Sequence, residues 1–128
     1  MREILFRGKT EQGEWVYGLL GCNYCSPNEK YYHIHNCETD DTTYKVIPET
    51  VGQFTGLTDK NGKKIFEGDI VKFSHPAYEE EIIGVVAWEE NEVGFVIRLS
   101  EEYEIIGYSS EFYEVIGNVH DNTELLGE

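Results

Sequence analysis

Five side chains able to bind soft or borderline metal ions lie within sixteen residues: Cys22, Cys25, His33, His35 and Cys37. Zinc takes four such ligands in a tetrahedron, and the C-x-x-C at 22–25 supplies two with good bite. His33, His35 and Cys37 alternate, so on a strand all three would face the same way, which suits ligation. Against zinc, there is no second C-x-x-C, and cysteine also serves as a small buried apolar residue. A zinc-binding module is one reading of this segment; ordinary thiols and surface histidines are the other. A redox role for Cys22 and Cys25 lacks the βαβ context of a thioredoxin-like motif.

No nucleophile–base set stands out elsewhere. The chain has no G-x-S-x-G, no Gly-rich phosphate loop and no H-E-x-x-H. Glu79-Glu80-Glu81 and Glu101-Glu102 offer carboxylates, but adjacent residues on a strand point to opposite faces and do not pair by spacing alone. They read as solvated turn charge. His120 stands alone. Sequence therefore assigns no catalytic, cofactor-binding or metal site, calls for no cofactor and points away from an enzyme.

The elements that would position these residues are strands. Trp15, Tyr17 and Leu19 alternate with Val16 and Gly18, and Tyr31, Tyr32 and Ile34 form a short aromatic-rich run. Short runs of β-branched and aromatic residues punctuated by glycine mark β structure. Gln53–Leu57 and Lys63–Phe66 flank Asp59-Lys60-Asn61-Gly62, where Asn-Gly predicts a hairpin with the two positive-φ residues of a type I′ turn. Ile70–Phe73 follows a Gly-Asp turn. Ile82–Trp88 is a near-continuous apolar run, as expected of a strand buried on both faces. Val93, Phe95, Ile97 and Leu99 alternate on one side of the next strand, and further strands fall at 103–108 and 112–119. Asp121 and Glu124 resemble a capping box that closes the chain with one helical turn. Residues 23–43 read as a long loop with a short strand inside. The whole predicts a mainly β protein, a small barrel or sandwich, with a boundary near Pro48–Val51.

Composition narrows the partners. The chain of 128 residues is 40% hydrophobic and 13% aromatic, which is enough to bury a core. Its net charge is −15, and from Phe73 to Glu128 fourteen acids face one base, Arg98. This segment would repel a phosphate backbone, so direct nucleic-acid binding is not expected, whereas a basic partner is allowed. Lys60, Lys63, Lys64 and Lys72 form a small basic group. Met1–Lys9 lacks a signal-peptide core, and no apolar run approaches the ~18 residues of a membrane helix. Three cysteines, an odd number, fit a reducing compartment. These features predict a cytoplasmic protein with no membrane partner.

The stretch Ile47-Pro48-Glu49-Thr50-Val51-Gly52-Gln53-Phe54-Thr55-Gly56-Leu57, continuing Thr58-Asp59-Lys60-Asn61-Gly62-Lys63-Lys64-Ile65-Phe66-Glu67-Gly68-Asp69-Ile70-Val71, closely resembles the central motif of the YopX family of phages and prophages of Gram-positive bacteria. Arg2–Gly8 and Glu114–Asn122 resemble that family's ends; residues 20–45 do not match. The resemblance implies an N-terminal β lobe over 1–50, holding the Cys/His loop, and an SH3-like β-barrel over 51–128, in the cytoplasm of a bacterial host. It carries no catalytic residue, and fold alone would not supply a function. The motif's own residues read as a hairpin and a sharp turn, with Lys60, Lys63 and Lys64 at the exposed tip as the competing binding reading. The leading expectation is a non-enzymatic phage interaction or assembly protein, binding a protein partner or itself. The alternatives are an acidic nucleic-acid mimic that occupies a basic host protein, and the zinc-binding module.

Overall fold

The computed structural model describes residues 3–26, 29–36, 40–77, 79, 81–98, 103–105 and 110–126, with the backbone alone at 22–26, 29–31, 103–105 and 126. The chain divides into two compact units, Met1–Phe54 and Thr55–Glu128. Only strands and short 3-10 turns occur among the described residues, so the mainly β expectation holds.

The first unit holds β1 (Phe6–Lys9), β2 (Trp15–Ser26), β3 (Glu29–Asn36), β4 (Thr42–Val46) and the start of β5 (Gly52–Thr58). All pairs are antiparallel, in the order β4-β3-β2-β1-β5. One face buries Val16, Ile34 and Val46, with Phe6, Leu20, Tyr32, Tyr44 and Val51 packed around them. Gly8 is required in this layer, because a Cβ there would come within 2.9 Å of the Val46 side chain. A 3-10 turn over Pro48–Thr50 is fastened to the end of β1: Ile47 N–H donates to the Lys9 carbonyl (2.8 Å), and Lys9 N–H donates to Thr50 Oγ1 (2.8 Å).

Residues 23–43 depart from the expected loop. β2 runs on to Ser26, and β3 and β4 complete a three-stranded meander. Among the described side chains of that region, Ile34 alone is fully buried. Its polar strands are ordered by ladder pairing, which leaves little hydrophobic alternation to read.

The second unit holds the end of β5, then β6 (Lys64–Phe66), β7 (Asp69–Phe73), β8 (Ile82–Glu89), β9 (Gly94–Arg98), β10 (Tyr103–Ile105) and β11 (Tyr113–Asn118). β6 neighbours β5, and the other five form an antiparallel sheet in the order β10-β9-β8-β7-β11. That order is open. β10 and β11 are its edges, each with one neighbour, so the expected barrel does not close among the described residues. The core is Ile65, Val71, Phe73, Val86, Ile97 and Tyr113. His75 joins its rim, with its ring 4.4 Å from that of Phe112; its Nδ1 accepts from Ala77 N–H, which places the ring proton of the neutral form on Nε2.

Two strand expectations change places. β8 was expected to be buried on both faces, yet Ile83 and Trp88 are exposed, and burial there falls on Gly84 and Val86. β9 was expected to be buried on one side, yet neighbouring Val96 and Ile97 are both buried. Val93, assigned by alternation to that strand's apolar side, instead lies in the preceding turn. Apolar runs cannot report which face a neighbouring element covers.

Candidate functional site

The central motif is occupied with architecture. Asp59 is 3% exposed. Its Oδ1 accepts from the backbone N–H of Asn61 and Lys63, and its Oδ2 accepts from Val115 N–H, each at 2.9 Å. One carboxylate thus closes the β5–β6 turn and ties it to β11. The turn is not the expected type I′. Gly62 is at φ +81° and Asn61 is not at positive φ, and Gly62 N–H donates to the Asp59 carbonyl. The aspartate side chain supplies the acceptor that lets a longer turn close, as Asx residues do. Upstream, buried Thr55 donates to the Ile65 carbonyl (2.9 Å) and accepts from Leu57 N–H. Downstream, the 1%-exposed Asp69 accepts from Phe66 N–H (2.8 Å) across the Gly68 turn, and Val119 N–H donates to the Gly68 carbonyl.

The basic group is internally compensated at two positions. Lys60 and Lys72 both approach Glu114 Oε1, at 3.6 and 3.7 Å, and Lys72 also approaches Glu81. Surface pairs of this kind contribute little stability, but they place negative charge beside the lysines. Glu114→Gln is therefore expected to change the unfolding free energy by less than about 1 kcal/mol in a urea titration.

Of the Cys/His cluster, the described residues include the side chains of His33 and His35 and only the backbone of Cys22 and Cys25. Cys22 pairs in register with Tyr32, Cys25 falls at the register shift between Tyr24 and Ser26, and Cys37 lies outside the described residues. His35 is held within the fold: its Nδ1 meets Thr43 Oγ1 at 2.7 Å and its Nε2 meets Asp41 Oδ1 at 2.8 Å. The His33 ring lies over Gly21, where a Cβ would be 2.4 Å from Nε2. Among the described residues no group of three or more His, Cys, Asp or Glu is arranged to hold a metal ion. Excess Zn²⁺ is expected to leave Tm unchanged, whereas a metal bound to the native state alone would raise it with concentration.

His120 lies in the closing turn, where its backbone N–H donates to Asn118 Oδ1. Asn122, not an Asp121–Glu124 box, precedes the final 3-10 turn over Thr123–Leu126, and its side chain accepts from Asn118 N–H. Glu80, Glu101 and Glu102 lie outside the described residues.

The structure assembles one surface that sequence reasoning did not single out, the outward face of the first sheet. Register places Lys9 beside Trp15, Arg7 beside Tyr17, Leu19 beside His35, and His33 beside Lys45. Tyr17 is 42% and Leu19 53% exposed. The Arg7 guanidinium lies 4.7 Å from the Trp15 ring centroid and the Lys9 ammonium 5.9 Å from it, within cation–π range. Aromatic and aliphatic area edged by cations is the anatomy of a recognition surface. The alternation of Trp15, Tyr17 and Leu19 was the signal; the partners from β1, β3 and β4 need the register to be known.

No helix among the described residues is long and apolar enough to cross a membrane. None of the curated proteins matches the chain. A solved structure, the crystal structure of protein EF1440 from Enterococcus faecalis, is similar over 98% of this chain and 99% of that one, with a TM-score of 0.56 and 23% identity. At that identity the likeness shows the fold alone. The family described as YopX protein matches residues 5–127, and with nearly the whole chain matched, the protein belongs to the YopX family.

Proposed function

We propose that this protein is a non-enzymatic interaction or assembly protein of the phage or prophage cycle, working in the cytoplasm of a Gram-positive host on a scaffold of SH3-like type. The observation that carries this is the outward face of the first sheet, where Trp15, Tyr17 and Leu19 lie together with Lys9 and Lys45 at their sides. The motif that marks the family supplies turns and a hairpin, so recognition is assigned to residues outside it. Affinity capture from infected, nuclease-treated lysate tests this reading. A stoichiometric partner, foreign or a second copy, that Leu19→Asp releases supports it. Wild-type protein that retains nothing, itself included, removes it.

The acidic segment favours a second reading, the nucleic-acid mimic. From Phe73 to Glu128 fourteen acids face one base, Arg98, which is bonded to Glu89 at 2.8 Å. This reading requires a captured basic nucleic-acid-binding protein that dissociates at high salt.

A further inference from the structure

The β5–β6 turn holds a chemically reactive pair of residues. Of the seven asparagines in the chain, Asn61 alone is followed by glycine. Asn61 and Gly62 are both exposed. The Asn61 carboxamide makes no hydrogen bond among the described residues; its backbone N–H alone is bonded, to Asp59 Oδ1 at 2.9 Å. Apart from chain neighbours, nothing lies within 4 Å of a would-be Gly62 Cβ, so the approach to this residue is open. Glycine also has no side chain to crowd its own nitrogen, the atom that can attack the carboxamide carbon. That nitrogen is restrained, because its N–H donates to the Asp59 carbonyl at 3.0 Å. Asp59 thus engages both residues, one through its carboxylate and one through its main chain.

We propose that Asn61 is a site of spontaneous deamidation gated by Asp59. When the turn opens, the Gly62 nitrogen gives its proton to solvent and attacks Asn61 Cγ. A C–N bond forms, the Cγ–Nδ2 bond breaks, and the leaving group takes a proton from water and departs as ammonia. Water then opens the resulting succinimide. Addition at Cγ gives aspartate; addition at the main-chain carbonyl carbon gives isoaspartate, whose backbone runs through Cβ. The net exchange is one water for one ammonia, with nothing oxidised or reduced. Isoaspartate lengthens the main chain between Asp59 and Lys63, so it disturbs the Lys63 N–H bond to Asp59 Oδ1. The same carboxylate accepts from Val115 N–H, so conversion loosens the tie between the turn and β11. The β8–β9 turn supplies a matched control. Asn91 is exposed there, its N–H donates to Glu89 Oε2, and the next N–H, of Glu92, donates to the Glu89 carbonyl. Both turns restrain the asparagine alike, but at Glu92 a side chain crowds the attacking nitrogen.

Incubation of the full chain at mildly alkaline pH tests this, read by peptide mapping in a mass spectrometer and by enzymatic methylation of isoaspartate. Asn61 is expected to convert well before Asn91. Gly62→Ala should slow conversion at 61 to the rate at 91, although it weakens the turn; an effect of turn stability alone would speed it. Asp59→Asn should speed conversion at 61 by about tenfold, because it makes local opening more frequent. Aged wild type should lose Tm as isoaspartate accumulates, and aged Asn61→Ser should not. Asn61 that converts no faster than Asn91, or as fast in Gly62→Ala as in wild type, overturns the site. A rate unchanged by Asp59→Asn overturns the gate, and a Tm indifferent to isoaspartate content overturns the loosening of β11.

Discussion

Replacing Asp59 by alanine is expected to lower the unfolding free energy by about 4 kcal/mol, enough to leave little of a small domain's stability. The side chain accepts from three backbone N–H groups, and its removal leaves them without their acceptor at a position that is almost fully buried. Each unsatisfied buried donor costs about 1–3 kcal/mol, with the Asn61 N–H, in the exposed turn, at the low end. Asp59→Asn should cost roughly half as much: one oxygen still serves Asn61 and Lys63, but an amide NH₂ then faces the Val115 N–H, donor against donor. Urea titrations of the three proteins give the comparison. Acid should expose the same group. Burial pushes the Asp59 carboxyl up, but the hydrogen bonds from Val115, Lys63 and Asn61 and the nearby Lys63 charge outweigh it and hold the group below its ordinary 3.8. Its folded pKa is thus below its unfolded one, so its contribution is fully present above the unfolded value and is lost as pH falls through the folded value. The stability gap between wild type and Asp59→Asn should narrow below about pH 4; a constant gap would mean that the carboxylate charge contributes nothing.

Gly18→Ala is expected to have the next largest effect and to act on the first unit. A Cβ at Gly18 would overlap the backbone carbonyl of His35 and lie 3.1 Å from the Asn36 Cα. The obstacle is main chain, with no flexible side-chain end to move aside, so β2 and β3 must separate around Leu19 and His35. Overpacking usually costs 1–3 kcal/mol, and a backbone obstacle puts this one at about 3 or above. Hydrogen exchange should show lost protection along β2 and β3 while β7, β8 and β9 keep theirs. Gly62→Ala makes a useful contrast. No atom lies within 4 Å of its would-be Cβ, so its cost is that of φ +81° alone, about 1 kcal/mol.

How far the sequence was legible follows from what local pattern can encode. Trp15–Leu19, Ile70–Phe73 and the 53–66 hairpin were readable because β-branched and aromatic residues alternate or stand beside turn residues there. The turn type was not, because Asp59 acts through a side-chain carboxylate that reaches Val115, and no window around Asn61-Gly62 contains that residue. Thr42-Thr43-Tyr44 has strand propensity but no buried alternation, so β4 was absorbed into a loop. The candidate face was half readable: Trp15, Tyr17 and Leu19 announced a side, but not Lys9, Lys45 or His35 beside them. The Cys/His spacing alone could not give the register, which pairs Cys22 with Tyr32 and Gly21 with His33. Family resemblance identified the family and carried no functional residue with it.

The span of the Asp59 contacts also sets an order of events in time. Its bonds to Asn61 and Lys63 bridge two and four residues, whereas its bond to Val115 bridges 56. Local turns close in microseconds or less, while a contact across a long loop waits until the intervening chain has been brought in. The hairpin should therefore be formed early and β11 should arrive late, with Asp59 present in both steps. Substitutions at Val115 and Tyr113 then belong to the late step and should speed unfolding while leaving the folding rate nearly unchanged. The two arms of a chevron plot separate these steps, and the rate at which β11 detaches sets the lifetime of the folded second unit.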